Sequence, residues 1–223
     1  MTASVDAAGH RGFTLIEILV VVGLLSLLAI VLLPQIIGSK MAAKISECRI
    51  LIKTIEASIE AYESQPKFGD YPPDNFVDRS GKYKVIAKNT LNVGIESLMA
   101  FVHRPDSRGK NLLEHEGNFV NTDEDKAARV LGKLGEAALV EFADPWGNPF
   151  AYFHHRSYKT GKQTYMMGDL GGDEEADDPE QTVQPWSKNG RFLRAGQFQI
   201  FSAGPDGIFN TSDDIGNFET PQS

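Results

Sequence analysis

The chain has 223 residues, a formal net charge of -8 and an apolar fraction of 41%. An acidic exterior excludes a nucleic-acid grip, which needs clustered Lys and Arg to displace counterions. The single cysteine, Cys48, excludes an intramolecular disulfide, so the loops of an exported domain would need another brace.

Residues 1–12 carry Asp6 and Arg11, which cancel, so the remainder holds the whole net charge. From Phe13 to Leu33 the only strongly polar residues are Thr14, Glu17 and Ser26. As a helix this run spans roughly the 30 Å hydrocarbon core of a bilayer. A signal peptide is the competing reading, but its apolar stretch is about 7–15 residues and leads to a small-residue cleavage site. Here the run is longer and ends at Pro34 and a new amphipathic pattern, which favours a retained span. Arg11 before the span is offset by Lys40 and Lys44 after it, so charge does not settle orientation. The short side is the N-terminus, which points to a cytoplasmic N-terminus and an exported C-terminal domain. Glu17 is the anomaly, since an ionised carboxylate in lipid costs several kcal/mol unless it finds a partner. The span supplies no base. An α-amino group created by a cut just before Phe13 would.

The stretch GFTLIE resembles the processing motif of type IV pilins and of the pseudopilins of type II secretion. The resemblance implies cleavage after Gly12 by a prepilin peptidase that also N-methylates Phe13. It makes Glu17 the family's assembly acid and Pro34 its helix-kinking proline. The implied fold is α+β and pilin-like. A long N-terminal helix, membrane-spanning in its first half, packs on a small antiparallel β-sheet domain that ends in a metal-binding loop. The segments expected are a leader at 1–12, a span and assembly segment at 13–34, the amphipathic half of the helix at 35–65, and a globular domain at 66–223.

Beyond Pro34, apolar residues fall at Ile45, Cys48, Ile52, Ile55, Ile59 and Tyr62, the three-and-four spacing of one helical stripe. Pro66 is the expected stop. A single helix from 13 to 64 would be about 78 Å long. The stripe is expected to pack on the chain's own domain, with Cys48 a small core hydrophobe.

QPKFGDYPPDN reads as a loop of prolines and turn formers, and 91–103 and 126–141 as short helices. His103 and His115 are isolated and read as surface or loop residues. DPWGNPFAYF (144–153) reads as a turn leading into a strand through Phe150, Tyr152 and Phe153, with Trp146 packed over the turn. It resembles the aromatic turn-and-strand segment of the G-type, or major, pseudopilin. Strand alternation sends His154 and His155 to opposite faces, a poor metal pair. The acidic run at 168–180 lacks regular ligand spacing and reads as a solvated surface insertion, with calcium binding the alternative.

FQIFSAGPDGIFNTSDDIGNF (198–218) gives a strand at Phe198, Ile200 and Phe201, then a tight turn, then Asp206, Asp213 and Asp214. Oxygen-rich loops of this composition suit calcium, and an Asx-turn loop without metal is equally compatible with composition alone. The same segment resembles the C-terminal loop of G-type pseudopilins, residues 202–218 here, which implies a structural calcium. The implied ligands are Asp206, Asp214 and Asp213, with main-chain carbonyls near Ser202. Pro205, the IFNTS centre and the adjacent aspartates depart from the family pattern.

The resemblance implies a structural subunit that self-assembles into a helical periplasmic filament for protein export. Its partners would be the prepilin peptidase/N-methyltransferase, other pseudopilins and inner-membrane secretion proteins. Its place would be the bacterial inner membrane, single-pass, with the C-terminal domain in the periplasm. The alternative is a type IV pilin for adhesion, motility or DNA uptake, which commonly has a cysteine pair that this chain lacks. No nucleophile–base spacing or open metal site supports an enzyme.

Overall fold

The computed structural model describes residues 13–77, 90–103, 119–126, 139–168 and 180–221, with the side chains of 31–37 outside that set. The chain divides into two units, Met1–Ala42 and Ala43–Ser223.

The described part of the first unit is the beginning of helix α1 (Leu15–Glu63). Its start is dictated locally. Thr14 stands at the N-cap, with Glu17 three residues on, the sequence signature of a capping box. The one internal hydroxyl, Ser26 Oγ, donates to Val22 O at 2.8 Å, so it does not interrupt the helix. The helix continues through Pro34, whose missing N–H removes one ladder bond. Phe13, Leu15 and Ile30 are 83%, 84% and 71% exposed, and the apolar residues between them are exposed too. Among the described residues, no helix is long and apolar enough to cross a membrane.

In the second unit the C-terminal part of α1 buries the expected stripe. Cys48, Ile52, Ile55, Ile59 and Tyr62 are buried, joined by Leu51, while Ile45 packs at the rim. Beyond the helix end, Tyr62 stacks on Phe68 at 4.0 Å between ring centroids, turning the chain into the 66–77 loop. Helix α2 (Val93–Val102) falls within the expected 91–103 helix, and every residue from Gly94 to Val102 is buried. Asn92, before it, takes φ 53°, a left-handed conformation that Asn tolerates better than most residues. The helix expected at 126–141 is corrected at its end. Glu141 lies in strand β2 (Glu141–Phe142), which pairs antiparallel with β1 (Phe119–Val120). Residues 127–138 lie outside the described residues, as do the leader with Gly12, His115, and 169–179 of the acidic insertion.

Strand β3 (Ala151–His154) leads into a 3-10 turn, His155–Ser157, and then β4 (Gln163–Met166). β4 pairs antiparallel with β5 (Glu180–Val183), and β6 (Ser187–Lys188) pairs with β7 (Arg191–Phe192). The central sheet has the order β3–β8–β9, with β8 at Phe198–Ser202 and β9 at Ile215–Gly216. Its antiparallel register sets Tyr152 opposite Ile200, and Ser202 opposite Ile215. All residues of β3 and β8 are buried. Their sequences, AYFH and FQIFS, accordingly lack a polar-out alternation. Tyr152 Oη donates to Pro72 O at 2.6 Å, and the Tyr152 amide donates to Tyr165 Oη at 3.0 Å. Arg194 pairs with Glu56 at 3.2 Å and donates to Asn217 O at 2.9 Å, tying the C-terminal segment to α1. The architecture is α+β, with a long N-terminal helix and antiparallel strands, as the resemblance implies.

Candidate functional site

At the head of α1 the capping box is complete. The Thr14 amide and hydroxyl donate to Glu17 Oε2 at 2.9 and 2.8 Å, and the Glu17 amide donates to Thr14 Oγ1 at 3.3 Å. These bonds hold the Glu17 carboxylate at the helix start, one turn from Phe13. TLIE is itself the capping-box pattern, so this role was readable in the sequence alongside the processing motif.

The C-terminal loop between β8 and β9 separates the expected calcium ligands into two environments. Asp206 Oδ2 accepts from Thr211 Oγ1 at 3.0 Å, and the same hydroxyl lies 2.5 Å from Asp213 Oδ1. Asp213 Oδ2 also accepts from the Asp206 amide at 3.1 Å, so these two carboxylates converge. Asp214 is instead engaged through Oδ2 by Trp186 Nε1 at 2.7 Å and by the Asn210 amide at 3.0 Å. Its Oδ1 is buried without a hydrogen-bond partner. Burial pushes the Asp214 carboxyl up to about 7 despite those donors. Gly204 makes the turn possible. Its φ is +72°, and a Cβ there would overlap the Asp213 carbonyl.

The side chain of Ser202 is engaged within the protein. Its hydroxyl donates to Asp144 Oδ2 at 2.5 Å and accepts from the Gly204 amide at 3.0 Å. Asp144 is a buried hub, because its Oδ1 also accepts from the amides of Trp146 and Asn148 at 2.9 and 3.0 Å. This one carboxylate ties the DPWGN turn to the foot of the C-terminal loop, a function that turn chemistry alone does not reveal. Trp146 is half-buried on the turn, with Lys44 Nζ 5.8 Å from its ring centroid. Cys48 lies beside Ser202 and Asp144, and burial pushes its thiol up to about 12, with the Ser202 hydroxyl opposing. It is an unreactive core residue.

His154 and His155 correct the alternation reading. β3 ends at His154 and the backbone turns into the 3-10 helix, so both rings come to the same side and stack at 4.3 Å. Their Nε2 atoms approach Asp70 Oδ1 at 3.4 and 3.7 Å, and Arg156 takes Asp70 Oδ2 at 2.5 Å. The trio has ligand-like spacing. However, His154 Nδ1 accepts from the Arg156 amide at 3.1 Å, which puts the ring proton on Nε2, facing Asp70. A neutral ring so protonated donates a hydrogen bond there and offers no lone pair to a metal. The cluster is a structural clamp, completed by Asp74, which accepts from the His154 amide at 2.9 Å.

Burial pushes His154 from 6.5 down to about 4, with His155 and Arg156 adding to the shift and Asp70 opposing it. Below about 6.5 the unfolded chain takes up a proton that the folded ring refuses until about 4. The corresponding stability is full above 6.5 and is lost as pH falls through that window, by up to about 3 kcal/mol. Buried acids such as Asp74 and Asp144, whose carboxyls burial raises, work in the other direction. The readout is thus a difference: in chemical denaturation, acidification over this window should cost the native chain more than His154→Gln. Parallel curves would remove this role from His154.

A third cluster escapes the sequence reading altogether. Glu96 in the first turn of α2, Asp123 after β1 and Glu141 in β2 bring carboxylate oxygens within 4.8 Å of one another. Glu96 is 1% exposed and Glu141 0%. Burial pushes Glu96 up to about 10, with Asp125, Asp123 and Glu141 adding to it. It pushes Glu141 up to about 7 against hydrogen bonds from Asn92 and Thr122. These three acids are spread along the chain, and no local pattern links them.

Residues 8–33 match the family model described as the prokaryotic N-terminal methylation motif. Over 143 residues the chain is 29% identical to type II secretion system core protein G of Pseudomonas aeruginosa, covering 64% of this chain and 72% of that relative. No solved structure matches the chain. With the methylation motif at its head and a body similar to a core protein G, the chain resembles the pseudopilins of type II secretion.

Proposed function

We propose that the chain is a pseudopilin of a type II secretion system, a structural subunit and not an enzyme. The observation that carries this reading is the exposed apolar surface of residues 13–30, headed by the methylation motif and by a fixed carboxylate at Glu17. Fully burying each Leu, Ile or Val there contributes about 1.5–3 kcal/mol, so the segment needs lipid before assembly and neighbouring subunits after it. The leader is removed after Gly12, Phe13 is N-methylated by the same peptidase, and residues 13–34 anchor the chain in the inner membrane. The globular domain then lies in the periplasm. In the filament the Glu17 carboxylate pairs with the Phe13 ammonium of a neighbouring subunit, offsetting its desolvation and setting the stagger. Pro34 loosens the helix between its two halves.

The C-terminal loop fits calcium through Asp206 and Asp213, whose carboxylates converge, and through the buried unpartnered oxygen of Asp214. The Ser202 hydroxyl is committed to Asp144, so its contribution would come from the main chain. Calcium there would brace a loop that has no disulfide.

Deleting the gene in its host tests the assignment. A secretion pseudopilin predicts that exported proteins accumulate in the periplasm and vanish from the medium, while surface pili persist. Unimpaired secretion with loss of surface pili would assign the chain to the type IV pili instead.

A further inference from the structure

We propose that Glu96, Asp123 and Glu141 form a second calcium site, separate from the C-terminal loop, that clamps helix α2 to the β1–β2 ladder. Two ligands across a calcium ion are at most about 5 Å apart, so carboxylate oxygens gathered within 4.8 Å can share one ion. The donors are all oxygens from hard carboxylates, with no thiol or imidazole among them. This chemistry selects calcium over zinc or copper.

The decisive residue is Glu96. It is 1% exposed, points into the cluster, and neither of its oxygens has a hydrogen-bond partner. A buried carboxylate without donors is a group that native proteins rarely leave unsatisfied. Among the described residues, no Lys or Arg stands within ion-pair distance of Glu96 or Glu141. Another acid, Asp125, adds to the negative field at Glu96.

Glu141, by contrast, is oriented in advance. Its Oε1 accepts from Asn92 Nδ2 at 2.9 Å and its Oε2 from the Thr122 amide at 3.1 Å. Asn92 is itself fixed, with Nδ2 on Thr122 Oγ1 at 2.8 Å and Oδ1 accepting from the Met166 amide at 2.9 Å. Each carboxylate oxygen has further lone pairs, so these bonds aim the group without consuming it. One ligand held by a hydrogen-bonded support and another with no partner of its own is the arrangement of a metal site with its outer shell in place. The three ligands come from α2, the segment after β1, and β2. The ion would therefore join parts of the domain that no disulfide can join.

Calcium titration calorimetry on the full chain in detergent, stripped of metal beforehand, tests this. The native chain should bind two calcium ions, and Asp206→Asn/Asp213→Asn should retain one. Adding Glu96→Gln to that double variant should weaken the remaining binding by at least about tenfold. Should the double variant not fold, Glu141→Gln in the otherwise native chain should bind one calcium ion fewer than the native chain. Failure of the loop reading alone has its own signature: a single ion in the native chain, lost with Glu96→Gln and retained with the loop variant. The inference is overturned if Glu96→Gln and Glu141→Gln leave calcium stoichiometry and affinity unchanged, because the cluster then holds a shared proton. Binding of magnesium but not calcium would overturn the assignment of the ion.

Discussion

Glu17→Ala should be cleaved and methylated normally and yet yield no filaments, and Glu17→Gln should fail in the same way. The pair of variants separates two roles that meet in one side chain. In the single chain Glu17 closes the capping box with Thr14, accepting from its amide and hydroxyl. Glutamine keeps an acceptor oxygen for that purpose and loses only the charge. Alanine loses both, and the cap itself is worth about 0.5–2 kcal/mol. Leaving a buried ammonium without its carboxylate costs about 3–5 kcal/mol, which weakens each subunit contact by a factor of about 100 or more. Thr14→Ala removes the cap and keeps the charge, so it should still assemble. Native-like filaments from Glu17→Gln, counted by electron microscopy after normal processing, would assign Glu17 to helix capping and remove the charge pairing from the account.

Gly94→Ala should lower stability by about 3 kcal/mol, although it replaces a glycine in the first turn of α2 with the best helix former. On propensity alone the change would stabilise α2 by about 1 kcal/mol. The packing reverses the sign. A Cβ at Gly94 would overlap the main-chain carbonyl of Tyr152, Gln163 Oε1 and Tyr165 Oη. Gln163 has rotamers to escape into, but the Tyr152 carbonyl belongs to β3 in the central sheet. Moving it also disturbs the Tyr165 hydroxyl, which receives the Tyr152 amide and donates to Gln163 Oε1. For a chain of this size the melting temperature should fall by about 6–12 °C. An unchanged or higher melting temperature would mean that α2 does not sit this close to β3.

What the sequence made legible follows from how local each signal is. The α1 stripe and the strands at 151–154 and 198–202 rest on periodicity and turn residues, which act within a few positions. The capping box at Thr14 and Glu17 is equally local, lying within four consecutive residues. The His154–His155 reading failed because alternation holds only while a strand continues, and the chain leaves β3 between these two residues. The roles of Asp144 and Ser202 were not legible, since their bond joins residues 58 apart in sequence. Glu96, Asp123 and Glu141 had no shared pattern for the same reason: α2 and the β1–β2 ladder bring them together only in the folded domain. Among the expected calcium ligands, composition could collect Asp206, Asp213 and Asp214 but could not tell the converging pair from the one held by Trp186.

The proposed pseudopilin role requires a cut after Gly12 that would turn the head of α1 into an assembly surface. Intact-mass spectrometry of the protein extracted from its native membrane tests this most directly. The prediction is a chain lacking residues 1–12 and carrying one added methyl group on the amine of Phe13. A chain that retains its first twelve residues, or that begins at any position other than Phe13, would contradict it.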